Sequence, residues 1–224
     1  MQGRLIVLEG IDGSGKSTQY ERLCQRLTAE GRDFRSIVFP RYDRPSSALV
    51  REYLAGAYGS KPSDVNAYAA SAFYAVDRFA SFKTEWQEYY ESGGLVLADR
   101  YTTSNACHQG SKLPEGERQE FLDWLYGFEF GRLGLPEPDL VVYLDVDLDV
   151  ARRQMLRRQE LTDTGADIHE KDLDYLAACL EAGRHACGHY GWTRIVCAED
   201  GVMRGVESIH EQIYAAVAEL FRKR

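Results

Sequence analysis

The sequence predicts an α/β protein: a five-stranded parallel sheet with helices on both faces, one domain over residues 1–224. Three observations carry this. Five short apolar runs are separated by stretches of helical periodicity, the pattern of parallel strands joined by crossover helices. The runs are continuously apolar, as strands buried on both faces are. The first of them leads directly into Gly10-Ile11-Asp12-Gly13-Ser14-Gly15-Lys16-Ser17, which fits the phosphate-binding pattern G-x-x-x-x-G-K-[ST].

In chain order, Leu5–Leu8 is the first strand. Gly10, Gly13 and Gly15 let the backbone turn its N–H groups inward around phosphate oxygens. Lys16 reaches terminal phosphates and the Ser17 hydroxyl suits Mg²⁺. Tyr20, Leu23, Cys24 and Leu27 follow at helical spacing, so the loop opens a helix whose N-terminus favours anions. Gly31 ends this unit, and Phe34–Phe39 forms a short strand that stops at Pro40. Ser46 or Ser47 is placed to cap a helix carrying Leu49, Val50, Tyr53 and Leu54. Residues 63–91 read as one long helix with Val65, Ala69, Ala72, Phe73, Val76, Phe79 and Trp86 on its apolar positions, stopped by Gly93-Gly94. Leu95–Ala98 is the next strand, ending in Asp99-Arg100-Tyr101. A short helix or loop covers 103–110, and Phe121, Leu122, Leu125 and Phe128 mark another helix. Leu140–Leu144 is a strand, followed by a helix rich in arginine. A helix over about 171–190 leads to the strand Thr193–Cys197, and the last helix buries Val206, Ile209, Ile213, Val217 and Leu220.

Composition narrows the function. A net charge of −8 argues against a nucleic-acid-binding surface. No apolar run approaches the roughly 18 residues that span a bilayer. The first strand begins almost at Met1, which leaves no room for a signal peptide. The cysteines at 24, 107, 179, 187 and 197 have neither zinc nor redox spacing, as expected of reduced thiols in the cytoplasm.

Right-handed crossovers bring the carboxyl ends of parallel strands to one edge, where ligands bind. Asp99 stands there, placed to hold Mg²⁺ through water or to orient an arginine, with Arg100 beside it. Arg41 and Arg44 follow the second strand at the same edge, and either could clamp a second phosphate. Tyr74 and Arg78, four apart, share one helical face. A ring that stacks and a guanidinium that donates to a carbonyl suit a planar heterocycle, although the spacing on its own more often describes core edge plus solvated charge. Arg152, Arg153, Arg157 and Arg158 open a polar segment, 152–170, with the composition of a mobile lid. Gly13 gives the phosphate loop no arginine of its own, so this segment is the natural source of positive charge for a transferring phosphoryl group.

Along almost its whole length the chain resembles the thymidylate kinases, a family of nucleoside monophosphate kinases. The resemblance rests on Val7-Leu8-Glu9-Gly10-Ile11-Asp12 with the loop, Phe39-Pro40, Arg78, Asp99-Arg100-Tyr101-x-x-Ser104, Gln109-Gly110, and Leu135-Pro136-x-Pro138-Asp139-Leu140 into Tyr143-Leu144-Asp145-Val146. It implies the three-layer P-loop NTPase fold and transfer of the γ-phosphoryl group of ATP to thymidylate (dTMP) with Mg²⁺. It also implies a cytoplasmic homodimer whose partners are small nucleotides rather than nucleic acid or membrane. ATP would be held by residues 10–18, from Gly10 to Thr18, and the metal by Ser17 and Asp99. For thymidylate the resemblance implies Asp12 near the acceptor, Arg100 and the loop after Phe39 (Arg41 included) on its phosphate, and Tyr74 stacked on the base. Arg78 would read the thymine edge, with Ser104 and Gln109 close by. A cis peptide precedes Pro40 in that family. Position 108 is His where the family commonly has Tyr, at a residue that helps favour deoxyribose. The catalytic set is Lys16, Arg100 and a lid arginine, first Arg158, then Arg153 and Arg157. Two other readings are a kinase of another nucleotide or nucleoside and a nucleotide-dependent switch. The chain lacks the Asn-Lys-x-Asp motif of guanine-specific switches.

Overall fold

The computed structural model describes residues 3–162 and 172–222. Its centre is a parallel sheet of β1 (Arg4–Glu9), β2 (Arg35–Val38), β3 (Leu95–Asp99), β4 (Leu140–Asp145) and β5 (Thr193–Val196), in the order β2-β3-β1-β4-β5. Strand β1 pairs with β3 on one side (Leu8 opposite Asp99) and with β4 on the other (Glu9 opposite Tyr143).

Alternation along the strands sorts the core into two layers. Leu5 and Val7 of β1, Val96 and Ala98 of β3, and Val141 and Tyr143 of β4 face one cluster. It is completed by Phe82, Trp86 and Tyr90, by Phe121, Leu122 and Leu125 of α6 (Glu115–Tyr126), and by Cys107 of α5 (Thr102–His108). Ile6, Leu8, Leu97, Val142 and Leu144 face the other cluster. There they meet Leu23 and Leu27 of α1 (Lys16–Ala29), Val150 and Ala151 of α7 (Leu148–Thr162), Cys179 of α8 (Leu173–Tyr190), and Ile213 of α9 (Val206–Arg222). The expected sheet with helices on both faces is therefore present.

Three local expectations are corrected. The helix placed over 63–91 starts later, as α3 (Ala67–Ser81), because Asn66 caps it by accepting from the Ala69 N–H at 2.8 Å. It then loosens into a π-helical stretch, Phe82–Trp86, before α4 (Gln87–Glu91). Its buried face carries Ala67, Ala70, Ser71, Ala75, Asp77 and Arg78, so Val76 and Phe79, placed inside by periodicity, are exposed. Asp77 and Arg78 took inside positions because they are paired there. Neither Ser46 nor Ser47 caps α2 (Ala48–Leu54) through its side chain. Ser47 donates instead to the carbonyls of Arg41 and Arg44, and Ser46 to Asp77, which folds the loop after β2 onto α3.

A two-stranded hairpin after β5 lies outside the sequence reading: β6 (Ala198–Glu199) and β7 (Val202–Met203), joined at Asp200-Gly201. Both turn residues have positive φ, 50° and 72°. Asp-Gly is the usual signal for such a turn, and it was legible in the sequence.

Candidate active site

The loop between β1 and α1 closes around Gly15, which precedes α1 in the left-handed conformation, and no side chain caps the helix. Its first N–H groups are thus available to an anion. At Gly13, φ is +80° and an added Cβ would lie 2.2 Å from the Ala151 carbonyl oxygen. Glycine is required there both by the turn and by the contact with α7. Lys16 is buried and pairs with Asp99 at 3.0 Å across the β1–β3 boundary. Burial lowers its pKa, helped by Arg100 and opposed by Asp99, Asp12 and Glu9.

A cavity of about 300 Å³ opens beside the loop at the carboxyl ends of β1 and β3. Eleven of the expected residues line it: Asp12, Lys16, Ser17, Phe39, Tyr74, Arg78, Asp99, Arg100, Ser104, His108 and Gln109. Val38, Pro40, Tyr42, Leu54, Tyr101 and Asn105 complete the wall. The Phe39–Pro40 peptide is cis, as the resemblance implied.

Arg100 lines its wall. Its φ is +66°, a conformation that costs a non-glycine residue of order 1–3 kcal/mol, and its N–H is bonded to the Leu8 carbonyl at 3.1 Å. The guanidinium meets Asp12 at 2.6 Å, His108 Nε2 at 3.2 Å and Glu9 at 3.5 Å. Burial alone would lower its pKa. Asp12, Glu9 and Asp99 outweigh that and hold it above the ordinary value. Glu9 is fully buried and accepts from Thr103 and Ser104 at 2.7 Å each and from the Gly10 N–H at 2.9 Å.

Arg78 lines the same cavity. It is buried and bidentate to Glu129, at 2.6 and 2.5 Å, with a third bond to the Tyr101 carbonyl at 3.3 Å. Glu129 also accepts from Thr102 at 2.7 Å. Gln109 also lines this cavity; it is fully buried, and neither atom of its amide has a hydrogen-bond partner among the described residues. A buried amide without a partner, in a cavity that also holds a fixed guanidinium, is what a base edge would satisfy.

Sequence reasoning missed Glu9, Glu129 and Asp77; the first two had a signal. Glu9 shares the strand phase of Leu5 and Val7. Glu129 lies four residues after Leu125, which puts a lone acid on the inner face of an apolar helix.

The remaining expected residues lie elsewhere. Gly10, Ile11, Ser14 and Gly15 shape the loop, with Ile11 in the core; Thr18 is exposed on α1. Arg41 is turned away from the cavity. Its guanidinium binds Asp77, Ser46 and Glu85, so its buried acid partner decides its direction. Arg44 is half exposed beside Asp43 and Glu85. Arg153, on exposed α7, donates to the Gly201 carbonyl at the hairpin tip, and Arg157 is exposed. The side chain of Arg158 and residues 163–170 of the expected lid lie outside the described residues.

Among the described residues no cluster of three or more His, Cys, Asp or Glu could hold a metal alone. The cavity does bring together the Ser17 hydroxyl and the Asp12 and Asp99 carboxylates. A few hard oxygen donors, completed by phosphate oxygens, are what Mg²⁺ uses, so the residues present fit it.

A phosphate loop that shares one sheet edge with a cavity of this size fits a nucleotide-dependent phosphotransferase acting on a small acceptor. The comparisons carry the assignment further. The family model for thymidylate kinase matches residues 8–209. The chain is 36% identical over 172 residues to the thymidylate kinase of Mycobacterium tuberculosis, covering 76% of this chain and 79% of the relative. It is 33% identical over 154 residues to the human enzyme, covering 68% and 66%. A solved thymidylate kinase from Candida albicans shares the fold, with a TM-score of 0.67 at 19% identity over 97% of this chain and 92% of that one. The chain belongs to the thymidylate kinase family.

Proposed function

We propose that this kinase seats thymidylate in the cavity between Arg78 and Arg100 and ATP along the phosphate loop and the β6–β7 hairpin. The enzyme transfers the γ-phosphoryl group of ATP to thymidylate, giving dTDP and ADP. The observation that carries the seating is one cavity lined by Arg78, fixed by Glu129, by Gln109, whose buried amide has no partner among the described residues, and by Arg100 beside the phosphate loop. The base would lie against Tyr74, with Arg78 and Gln109 reading its polar edge. The phosphate would lie against Arg100, which Asp12 and Glu9 hold in place. Phe39 and Ser104 border the acceptor between its base and its phosphate.

For the donor, the loop N–H groups and Lys16 would cradle the phosphates. The adenosine would rest by the hairpin, where Met203 approaches to 3.6 Å of the Cβ position at Gly15. Ser17 and Asp99 would hold Mg²⁺, which when bound offsets charge on the β- and γ-phosphates. A lid arginine, Arg158 first and then Arg153 or Arg157, would meet the transferring group. Attack by the acceptor phosphate oxygen then needs only positioning and charge stabilisation.

Residues 1–224 would act as one domain, in the cytoplasm, with nucleotides rather than nucleic acid as partners. No described helix is long and apolar enough to cross a membrane. A homodimer is supported by α3, whose Tyr68, Val76 and Phe79 are exposed by 37%, 52% and 38%; Tyr68 continues onto Trp124 at 4.6 Å. Val76→Glu should then sediment as a monomer. The acceptor is tested by ADP formation against a panel of nucleoside monophosphates. Thymidylate should give the highest kcat/KM, and preference for another base would overturn the seating.

A further inference from the structure

Five side chains at and behind the cavity wall form a hydrogen-bonded network whose direction is fixed at one end. A guanidinium only donates, so at the 3.2 Å contact between Arg100 and His108 the Nε2 atom must accept. The ring proton of neutral His108 therefore sits on Nδ1, which faces the Cys179 sulfur at 3.5 Å. The Cys179 thiol in turn donates to the Ser111 hydroxyl at 3.4 Å, and Ser111 donates to the His108 carbonyl at 2.8 Å. The Tyr175 hydroxyl donates to that carbonyl as well, at 2.8 Å. From Arg100 through His108, Cys179 and Ser111 back to the His108 carbonyl, every bond runs in one consistent sense. Burial pushes the Cys179 thiol up to about 12, so its proton stays available.

We propose that His108 is a positioning residue: as the neutral Nδ1–H tautomer, steadied from behind by Cys179, it accepts from Arg100 and sets the guanidinium that grips the acceptor phosphate. This rests on the reading of Arg100 as the phosphate clamp. Protonation at Nε2 would aim a donor and a positive charge at Arg100 across 3.2 Å, and the two must part. The charged and titratable groups around the ring are Arg100 with its partners Asp12 and Glu9, Cys179, and Tyr175, whose ring centroid is 6.3 Å away. The carboxylates are already engaged by Arg100, and an imidazolium would compete with it for them. Acceptor affinity should fall as the ring protonates, with kcat changing less.

The test is steady-state kinetics of the full chain with thymidylate from pH 5.5 to 8. His108→Leu removes the acceptor and should raise the thymidylate KM about tenfold, with a smaller effect on kcat. His108→Gln can present an oxygen where Nε2 lies and should recover most of that loss. The acceptor phosphate itself titrates near pH 6, so the ratio of wild type to His108→Gln in kcat/KM cancels it. That ratio should fall towards acid. Cys179→Val should weaken the acceptor more than Cys179→Ser. Ring ¹⁵N shifts, with His108→Gln as assignment control, should show the Nδ1–H tautomer. A ratio flat with pH, or an Nε2–H tautomer, overturns the proposal. Arg100→Ala separates the two readings. If it leaves KM unchanged, the phosphate clamp itself is wrong. If it raises KM while His108→Leu does not, only the role of His108 falls.

Discussion

The two halves of the site are built differently. On the acceptor side each arginine is tied before any nucleotide arrives: Arg78 to Glu129, Arg100 to Asp12, Glu9 and His108. On the donor side the helix start has no side-chain cap, Ser17 is exposed, and Arg153 and Arg157 lie on the exposed face of α7. Preorganisation is concentrated where one base must be told from others. A buried polar group left unpaired by the wrong ligand is costly, and that cost gives discrimination. Phosphates need only charge and N–H groups, which an open helix end supplies.

The largest way to break the contrast is at its most buried pair. Glu129→Leu leaves the Arg78 charge uncompensated and should cost about 3–5 kcal/mol of stability, read from urea unfolding. If stability is unchanged and only acceptor binding suffers, the pair is not the scaffold of that side. Lys16→Ala should lower kcat by roughly 10²–10³, as removal of one stabilising donor does, and because it leaves the buried Asp99 carboxylate unpaired it should also lower stability. Near-normal turnover would remove the phosphate loop from the chemistry. On α7, Arg158→Ala should lower kcat by about 10² with little change in thymidylate affinity, the mark of a contact made in the transition state. Should Arg158, Arg153 and Arg157 each be replaced without effect, the charge must come from Lys16 and the metal. Tyr74→Ala should weaken thymidylate by about 1–3 kcal/mol, by analogy with other base–aromatic contacts, and leave the ATP KM in place.

The smallest effect lies far from both halves. His210 is buried between α9 and α1, and burial, with Arg26 and Arg22 nearby, lowers its pKa below the usual 6.5. A depressed pKa means that the unfolded chain binds the proton more tightly. The neutral ring's contribution is complete above the unfolded value and is lost as pH falls below it through the folded value. Thermal unfolding of wild type should therefore weaken between pH 7 and 5 more than that of His210→Gln, and parallel curves would show that the ring is not desolvated.

The parallel sheet and the phosphate loop were legible because continuous apolar runs and the glycine-lysine motif are local signals, while Phe39, Ser104, His108 and Gln109 on the cavity wall were legible only through the family resemblance. What stayed hidden was pairing. Arg41 follows β2 directly and looks aimed at the ligand edge, yet Asp77, 36 residues on, turns it aside. Val76 and Phe79 fit a helical core stripe, but Asp77 and Arg78 hold the inner face because each has a partner that makes burial tolerable. Hydrophobic periodicity carries no information about such distant partners. Arg100 in the left-handed region is likewise set by its bond to β1 and not by local preference.

The contact between Gly13 and Ala151 has a mechanical consequence. With no space for a methyl group between loop and helix, α7 is pinned to the phosphate loop at that point, which makes Ala151 a fulcrum. At about 1.5 Å of rise per residue, Arg153 stands roughly 3 Å along the lever arm and Arg157 roughly 9 Å. Tilting the helix about Ala151 would sweep Arg157 about three times as far as Arg153, which the hairpin tip also tethers. The arginines of α7 thus differ in leverage before they differ in chemistry.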